Sequence, residues 1–286
     1  MRSFLPAYQL RAPGTLAEAL TLLDSDPPVW RPFAGGTDLM VLMEAGKLPH
    51  HRYISLWGLR ELRGIEVSTE SVSLGALTTY ADVLHHPVLR DEFPLLGRAA
   101  ADTGGVATQN RGTIVGNIAN ASPAADTPPA LLVYDAEVEI AAARGTRRRP
   151  YDGFHTGYKV MDLTPAEIIT RVHLPRGRRG WRESYRKVGT RRAQAISKVC
   201  FTASADVSRG HVQDIRIAVG SVAPTVIRAR KTEDALRGRS IDTSTIAAAR
   251  RALTSDIAPI DDVRSTARYR LNVAQNLLCE FLESCR

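Results

Sequence analysis

The sequence predicts an α+β protein in two parts, and three observations carry that expectation. Residues 1–56 read as a small β-α-β-α-β unit. From Gly64 to Leu174 candidate strands enclose a central run of helix and polar loop. Beyond Gly180 candidate strands come first and helices last, the order expected of a separate α+β domain. The break is placed in the Arg176–Gly180 stretch, giving an N-terminal domain over 1–176, with subdomains of about 1–56 and 57–176, and a C-terminal domain over 177–286.

Each element has its own signal. Phe4–Ala12 reads as a strand running into Pro13-Gly14. Thr15, with Glu18 three residues on, is a capping box, and Leu16, Ala19, Leu20 and Leu23 fall on one face of the helix that follows. Asp24 through Pro28 ends it. Trp30–Ala34 is a strand leading into Gly35-Gly36, Leu39–Ala45 a helix, and Tyr53–Leu56 a strand. Gly64–Val67 and Ser71–Ala76 alternate as strands, a helix opens near Thr79, and Pro94–Ala101 is helical. A long polar loop follows, then a helix over Pro129–Tyr134, a strand over Glu137–Ala142 and another over Ile168–Leu174. The C-terminal part predicts strands at Trp181–Lys187, Ser197–Val207 and Val212–Ser221. Helices are predicted at Lys231–Arg237, Thr243–Leu253 and about Val263–Glu283.

Composition narrows the function classes. At 286 residues, 44% apolar and 24% charged, the chain has ordinary globular proportions. No apolar run reaches the ~20 residues of a membrane helix, and no signal peptide is read, so a cytoplasmic location is expected. Cys200, Cys279 and Cys285 are the only cysteines, too few for the four thiolates that an iron–sulfur cluster usually takes. A net charge of +8 raises the question of nucleic acid. The arginines cluster locally (Arg144 with Arg147–Arg149; Arg176, Arg178 and Arg179; Arg191–Arg192; Arg228, Arg230 and Lys231) without the interleaved aromatics of a base-stacking platform. Solvated loops or a face for an acidic partner are the expectation. His85 and His86, adjacent on a helix, cannot face one metal together.

Two small-residue segments stand out. Thr103–Asp135 is rich in Gly, Asn and hydroxyl side chains, holds Asp126 and Asp135, and contains no lysine. Arg31-Pro32-Phe33-Ala34-Gly35-Gly36-Thr37-Asp38-Leu39 is the other. Small residues let backbone N–H groups approach a bulky polar ligand, and two such loops suggest a long cofactor held at two points. No G-x-G-x-x-G, Walker A, G-x-S-x-G or H-E-x-x-H motif is present, and no catalytic residue or metal site is read.

In this order, Ala34-Gly35-Gly36-Thr37-Asp38-Leu39, Arg111-Gly112-Thr113-Ile114-Val115-Gly116-Asn117-Ile118 and Ala121-Ser122-Pro123-Ala124-Ala125-Asp126 resemble the FAD-binding (medium) subunit of the molybdenum hydroxylases. That group contains xanthine dehydrogenase and carbon monoxide dehydrogenase. Glu167-Ile168-Ile169 to Leu174-Pro175, and Lys187 through Arg191-Arg192 to Ile196-Ser197-Lys198-Val199, extend the resemblance over essentially the whole chain.

The resemblance implies a PCMH or vanillyl-alcohol-oxidase type FAD-binding fold of two subdomains, followed by a C-terminal domain of a three-stranded antiparallel sheet and a helical bundle. It also implies site roles. Pro32, Phe33, Ala34, Gly35, Gly36, Thr37, Asp38 and Leu39 would wrap the FAD pyrophosphate. Thr113, Ile114, Val115, Gly116 and Asn117 would form a second phosphate loop. Asp126 would accept from ribityl or nearby hydroxyls, Thr103 would lie at the flavin site, Ile169 would pack near the ring system, and Lys187 would lie close to the flavin. Val115 stands where the family commonly has glycine, and an extended backbone with its N–H still available is expected there.

The implied activity is electron transfer through non-covalent FAD. A large molybdopterin subunit would hydroxylate substrate, and a small subunit with [2Fe–2S] clusters would deliver electrons, in an (αβγ)2 assembly. NAD, oxygen or a quinone would accept them. Lys187–Val199 looks closer to the xanthine dehydrogenase flavin subunits; carbon monoxide, nicotinate and aldehyde dehydrogenase subunits of the same family are the alternatives. The four-cysteine insertion of the hydroxybenzoyl-CoA reductase type is missing, so no [4Fe–4S] cluster is expected. A stand-alone flavin oxidase and a basic binding module are the rival classes.

Overall fold

The computed structural model describes residues 7–191 and 193–286. Residues 4–6 of the first expected strand, and Arg192 of the Arg191-Arg192 pair, lie outside them. The N-terminal unit is a three-stranded parallel sheet in which Arg52–Ser55 lies between Gln9–Arg11 and Trp30–Phe33. Thr15 caps the connecting helix Leu16–Ser25 by accepting the Glu18 N–H. The Glu18 carboxylate reaches past the cap to the Gly14 N–H at 2.8 Å, so the box closes one residue early. Ala19, Leu20 and Leu23 bury the helix against the sheet, and with Trp30 and Ile54 join the first hydrophobic core.

The second unit is a five-stranded antiparallel sheet in the order Ile65–Val67, Ser71–Gly75, Ile168–Pro175, Glu137–Ala142, Gly145–Pro150. Helices Tyr80–His85 and Pro94–Ala101 pack with it, the first opened by a complete capping box between Thr79 and Asp82. The polar stretch after Ala101 is not an unbroken loop. Helices Val106–Gln109, Ile114–Ala119 and Pro128–Val133 form within it. The last was expected, over Pro129–Tyr134; the first two are too short for an apolar period to show in the sequence, and Thr113, read as a phosphate residue, is also a helix cap. Strand Gly145–Pro150 and the ribbon His155–Gly157 with Val160–Met161 were not anticipated either; their residues are largely exposed and polar, without alternation.

The C-terminal sheet runs Arg182–Val188, Val199–Ser208, His211–Gly220, all antiparallel, and a two-residue strand Ile227–Arg228 adds a fourth member at the edge. Helices Arg230–Leu236, Thr243–Asp256 and Ala267–Ser284 cover it and enclose a second hydrophobic core built on Phe201, Ile217, Leu253, Leu278 and Phe281.

Many of the clustered arginines meet carboxylates of this chain. Arg147 pairs with Glu167, Arg149 with Asp162, Arg176 with Glu92, Arg179 with Asp91 and Arg230 with Asp152. Arg178, Arg216 and Arg228 converge on Asp135. Arg228 also pairs with Glu233, and both are buried, with side chains 1% and 0% exposed. Several cluster arginines are thus ion-paired within the chain, while the side chains of Arg149, Arg179 and Arg230 stay 52%, 75% and 53% exposed, as expected of solvated segments.

Candidate functional site

A cleft of about 580 Å³ runs between the small parallel-sheet unit and the antiparallel-sheet unit. The two small-residue loops meet along it. A Cβ on Gly35 would overlap the Arg111 carbonyl, so only glycine lets the first loop lie directly on the second. Gly36 has φ +78°, and a Cβ there would strike the Phe33 ring at 2.6 Å. The Gly35, Gly36 and Thr37 N–H groups have no acceptor among the described residues, while the Gly36 carbonyl receives the Met40 N–H to start helix Leu39–Glu44. Pro32, Ala34, Thr37, Asp38 and Leu39 line the cleft with them; Phe33 does not, its ring packing edge-on to Tyr53.

The second loop differs from expectation at Val115. It is helical rather than extended, the second residue of helix Ile114–Ala119, so the position never needed positive φ and a valine fits. Its side chain joins the first core and its N–H has no acceptor among the described residues, as the first turn of a helix allows. Its neighbours are engaged. The Ile114 N–H donates to Thr78 and its side chain is fully buried, and the Gly116 N–H donates to Thr113 Oγ1 at 3.0 Å. Asn117 Oδ1 accepts the Thr127 hydroxyl at 2.6 Å, tying this loop to the segment that carries Asp126.

Thr103, Asp126 and Lys187 do not line this cleft; they form a second group on the side of the C-terminal sheet, joined to the cleft through Asn117 and Thr127. Lys187 Nζ, on a side chain only 6% exposed, donates to Asp126 Oδ2 and to the Asp102 carbonyl, both at 2.7 Å. Asp126 Oδ1 is buried with no partner. Burial pushes this carboxyl up to about 6, the adjacent Lys187 ammonium opposing the shift. Near neutral pH the group is therefore ionised and carries a free acceptor. The Thr103 hydroxyl donates to Ala99 O at 2.7 Å, closing the end of helix Pro94–Ala101. Ile169 lines the cleft at an irregularity in its strand, where the register with Glu137–Ala142 shifts.

The sequence reading missed Arg31, His50, Tyr53 and Tyr80, and the ribbon residues Lys159 and Met161, all of which line the cleft. Tyr80 packs on Gly112, and its hydroxyl is held far above the ordinary tyrosine range, chiefly by burial and further by Asp126. Lys159 donates to the Asn120 carbonyl and side-chain oxygen at 2.6 and 2.5 Å, and Asn120 in turn donates to Asp38, fastening the ribbon across the cleft. A tyrosine in a strand reads as core, so nothing in the pattern marked Tyr53.

Free amides on two touching loops suit a diphosphate, and the orphaned Asp126 oxygen suits a hydroxyl of the same ligand. The donor set fits FAD. Comparison with known proteins agrees. Residues 6–177 match the family model described as FAD binding domain in molybdopterin dehydrogenase, and residues 183–285 match the CO dehydrogenase flavoprotein C-terminal domain. The xanthine dehydrogenase FAD-binding subunit of Escherichia coli O157:H7 is 31% identical over 265 residues, 92% of this chain and 90% of that protein. The carbon monoxide dehydrogenase medium chain of Hydrogenophaga pseudoflava is 28% identical over 273 residues, 96% of this chain and 95% of that one. A solved carbon monoxide dehydrogenase from the same organism superposes with a TM-score of 0.94 at 29% identity, covering 99% of this chain and 98% of the other.

Proposed function

The chain belongs to the family of FAD-binding domains of molybdopterin dehydrogenases, and on that premise we propose that it is the FAD-carrying electron-transfer subunit of a xanthine dehydrogenase-like molybdenum hydroxylase. One observation carries the site: the glycine loop lies on the Arg111–Gly112 backbone, and the N–H groups of Gly35, Gly36, Thr37 and Val115 have no acceptor among the described residues. Those amides would hold the diphosphate without a lysine. Asp126 would accept a hydroxyl of the flavin chain through Oδ1, and its Oδ2 keeps the Lys187 ammonium fixed. Thr103 and Ile169 would contact the cofactor from the helix end and the central strand. Bound FAD supplies the capacity to collect electrons one at a time and release them in pairs.

The buried Lys187 charge would favour a negatively charged ligand beside it, and the surrounding apolar walls strengthen that field by excluding water. No side chain on this chain is read as the acid, base or nucleophile of a substrate reaction. The hydroxylation would therefore fall to a large molybdopterin subunit, and electron delivery to a small [2Fe–2S] subunit, in an (αβγ)2 complex with NAD, oxygen or a quinone as acceptor. The domain division at 176/177 is part of the same reading. The Lys187–Val199 pattern and the E. coli similarity favour xanthine over carbon monoxide, nicotinate or aldehyde as the class of substrate.

The test is to co-express the chain with its partner subunits and assay the complex with xanthine and NAD⁺. NADH formation is expected. Oxidation of another heterocycle or of an aldehyde would reassign the substrate, and a complex that forms without flavin would sink the reading.

A further inference from the structure

Tyr53 is 4% exposed, lines the cleft, and its hydroxyl has no partner among the described residues. An unpartnered buried hydroxyl costs stability, so its retention needs a reason. It stands in register with Arg31 across the parallel pair Trp30–Phe33 and Arg52–Ser55, which puts both side chains on one face of the small sheet. Arg31 Nε donates to His50 Nε2 at 3.2 Å, and no bond of the terminal nitrogens of Arg31 is present among the described residues. His50 is held below the ordinary histidine range, by burial first and by Arg31 second, so it remains a neutral acceptor. The cleft's other cation, Lys159, is already bonded to Asn120; of the cleft's two carboxylates, Glu167 is bonded to Arg147 and Asp38 accepts from Asn120. Arg31, bonded only through Nε to a neutral ring, therefore keeps its terminal nitrogens for a ligand, one residue before the loop whose amides have no acceptor among the described residues.

We infer that Arg31, His50 and Tyr53 form the subsite for the nucleotide half of the dinucleotide. Arg31 offers charge to its phosphate, and Tyr53 and His50 bond its sugar or base. The inference rests on the cleft holding FAD and adds which residues distinguish FAD from a mononucleotide. The subsite lies on the parallel-sheet side, away from the Asp126–Lys187 group that adjoins the C-terminal sheet.

The flavin-stripped full chain, alone or in its complex, is titrated with FAD and with FMN, which lacks the adenylate half. Tyr53→Phe is expected to weaken FAD about tenfold, the scale of one lost hydrogen bond, and to leave FMN affinity within about twofold. The flavin-free Tyr53→Phe protein is expected to melt no lower than the parent, since it loses only an unpartnered hydroxyl. Arg31→Gln is expected to weaken FAD at least as much, again sparing FMN. Equal losses for FAD and FMN, or unchanged FAD affinity in both variants, would overturn the subsite while leaving FAD binding intact. A parent protein that takes up neither flavin would overturn both the subsite and the reading it rests on.

Discussion

Two polar regions of this protein are built on opposite terms. Around Asp135 every charge meets its counterpart: Arg178, Arg216 and Arg228 close on one carboxylate, and Glu233 takes Arg228, Arg237 and the Ile217 N–H. Arg228 also donates to the Leu132 carbonyl, so the network joins the end of helix Pro128–Val133 to the C-terminal sheet. In and beside the cleft the reverse holds. Loop amides, Asp126 Oδ1 and the Tyr53 hydroxyl are left without partners among the described residues. Comparable residue types give a fastening in one place and a receptor in the other. The difference lies in whether the protein itself completes the hydrogen bonds.

Substitutions can break that contrast from either side. The largest stability effect is expected at Glu233→Gln, which leaves the buried Arg228 guanidinium underpaired; denaturant unfolding should show a loss of about 3–5 kcal/mol, while FAD affinity of the folded fraction stays at the parent value. Gly35→Ala should do the opposite. Its Cβ would displace the first loop from the Arg111 carbonyl. FAD titration should show affinity down by about a hundredfold or more, equivalent to ~2.8 kcal/mol, with a much smaller change in melting temperature. Equal damage to folding and binding by either substitution would erase the distinction.

A pH profile sharpens it further. Glu183, bonded to Tyr134 and Ser204 near the junction of helix Pro94–Ala101 and the C-terminal sheet, is raised from 4.5 to about 7, burial being the main cause. A carboxyl raised by folding binds its proton more tightly in the native state. Its stabilising contribution is full below about 4.5 and fades as pH climbs through about 7. Glu183→Gln should therefore melt a few degrees above the parent at pH 8, and the gap should close toward pH 4.5. A pH-independent gap would contradict the assignment. Smallest of all on binding is Val115→Gly. The valine N–H is already available in the helical first turn, so FAD affinity should be unchanged, while backbone freedom costs about 1 kcal/mol and the lost core side chain about 1.5 kcal/mol or more of stability. Tighter FAD binding would show that the valine side chain obstructs the loop.

The sequence exposed the elements whose signals are local. Thr15 and Thr79 announce helix starts through their own side chains, Pro94–Ala101 has apolar spacing, and Gly35-Gly36 marks a turn no other residue can make. The family resemblance rested on short motifs too, Gly35-Gly36 among them, with Arg111–Ile118 and Ala121–Asp126. What stayed hidden depends on distant partners. Arg228 and Asp135 are 93 positions apart, and nothing in either neighbourhood says that they meet. The ribbon at His155–Met161 has no hydrophobic period because it packs little, yet it lines the cleft through Lys159 and Met161. Val115 was misjudged because a family glycine suggested an unusual backbone, whereas an ordinary helical turn presents the amide.

The central claim is that the cleft's unfinished hydrogen bonds are completed by FAD. An absorption spectrum of the purified chain and of its complex, taken after incubation with FAD and desalting and again after denaturation, tests it most directly. The account predicts flavin bands in stoichiometric amount, all released into solution as intact FAD on denaturation. A complex that retains no flavin, or one whose flavin stays attached to the unfolded chain, would contradict it.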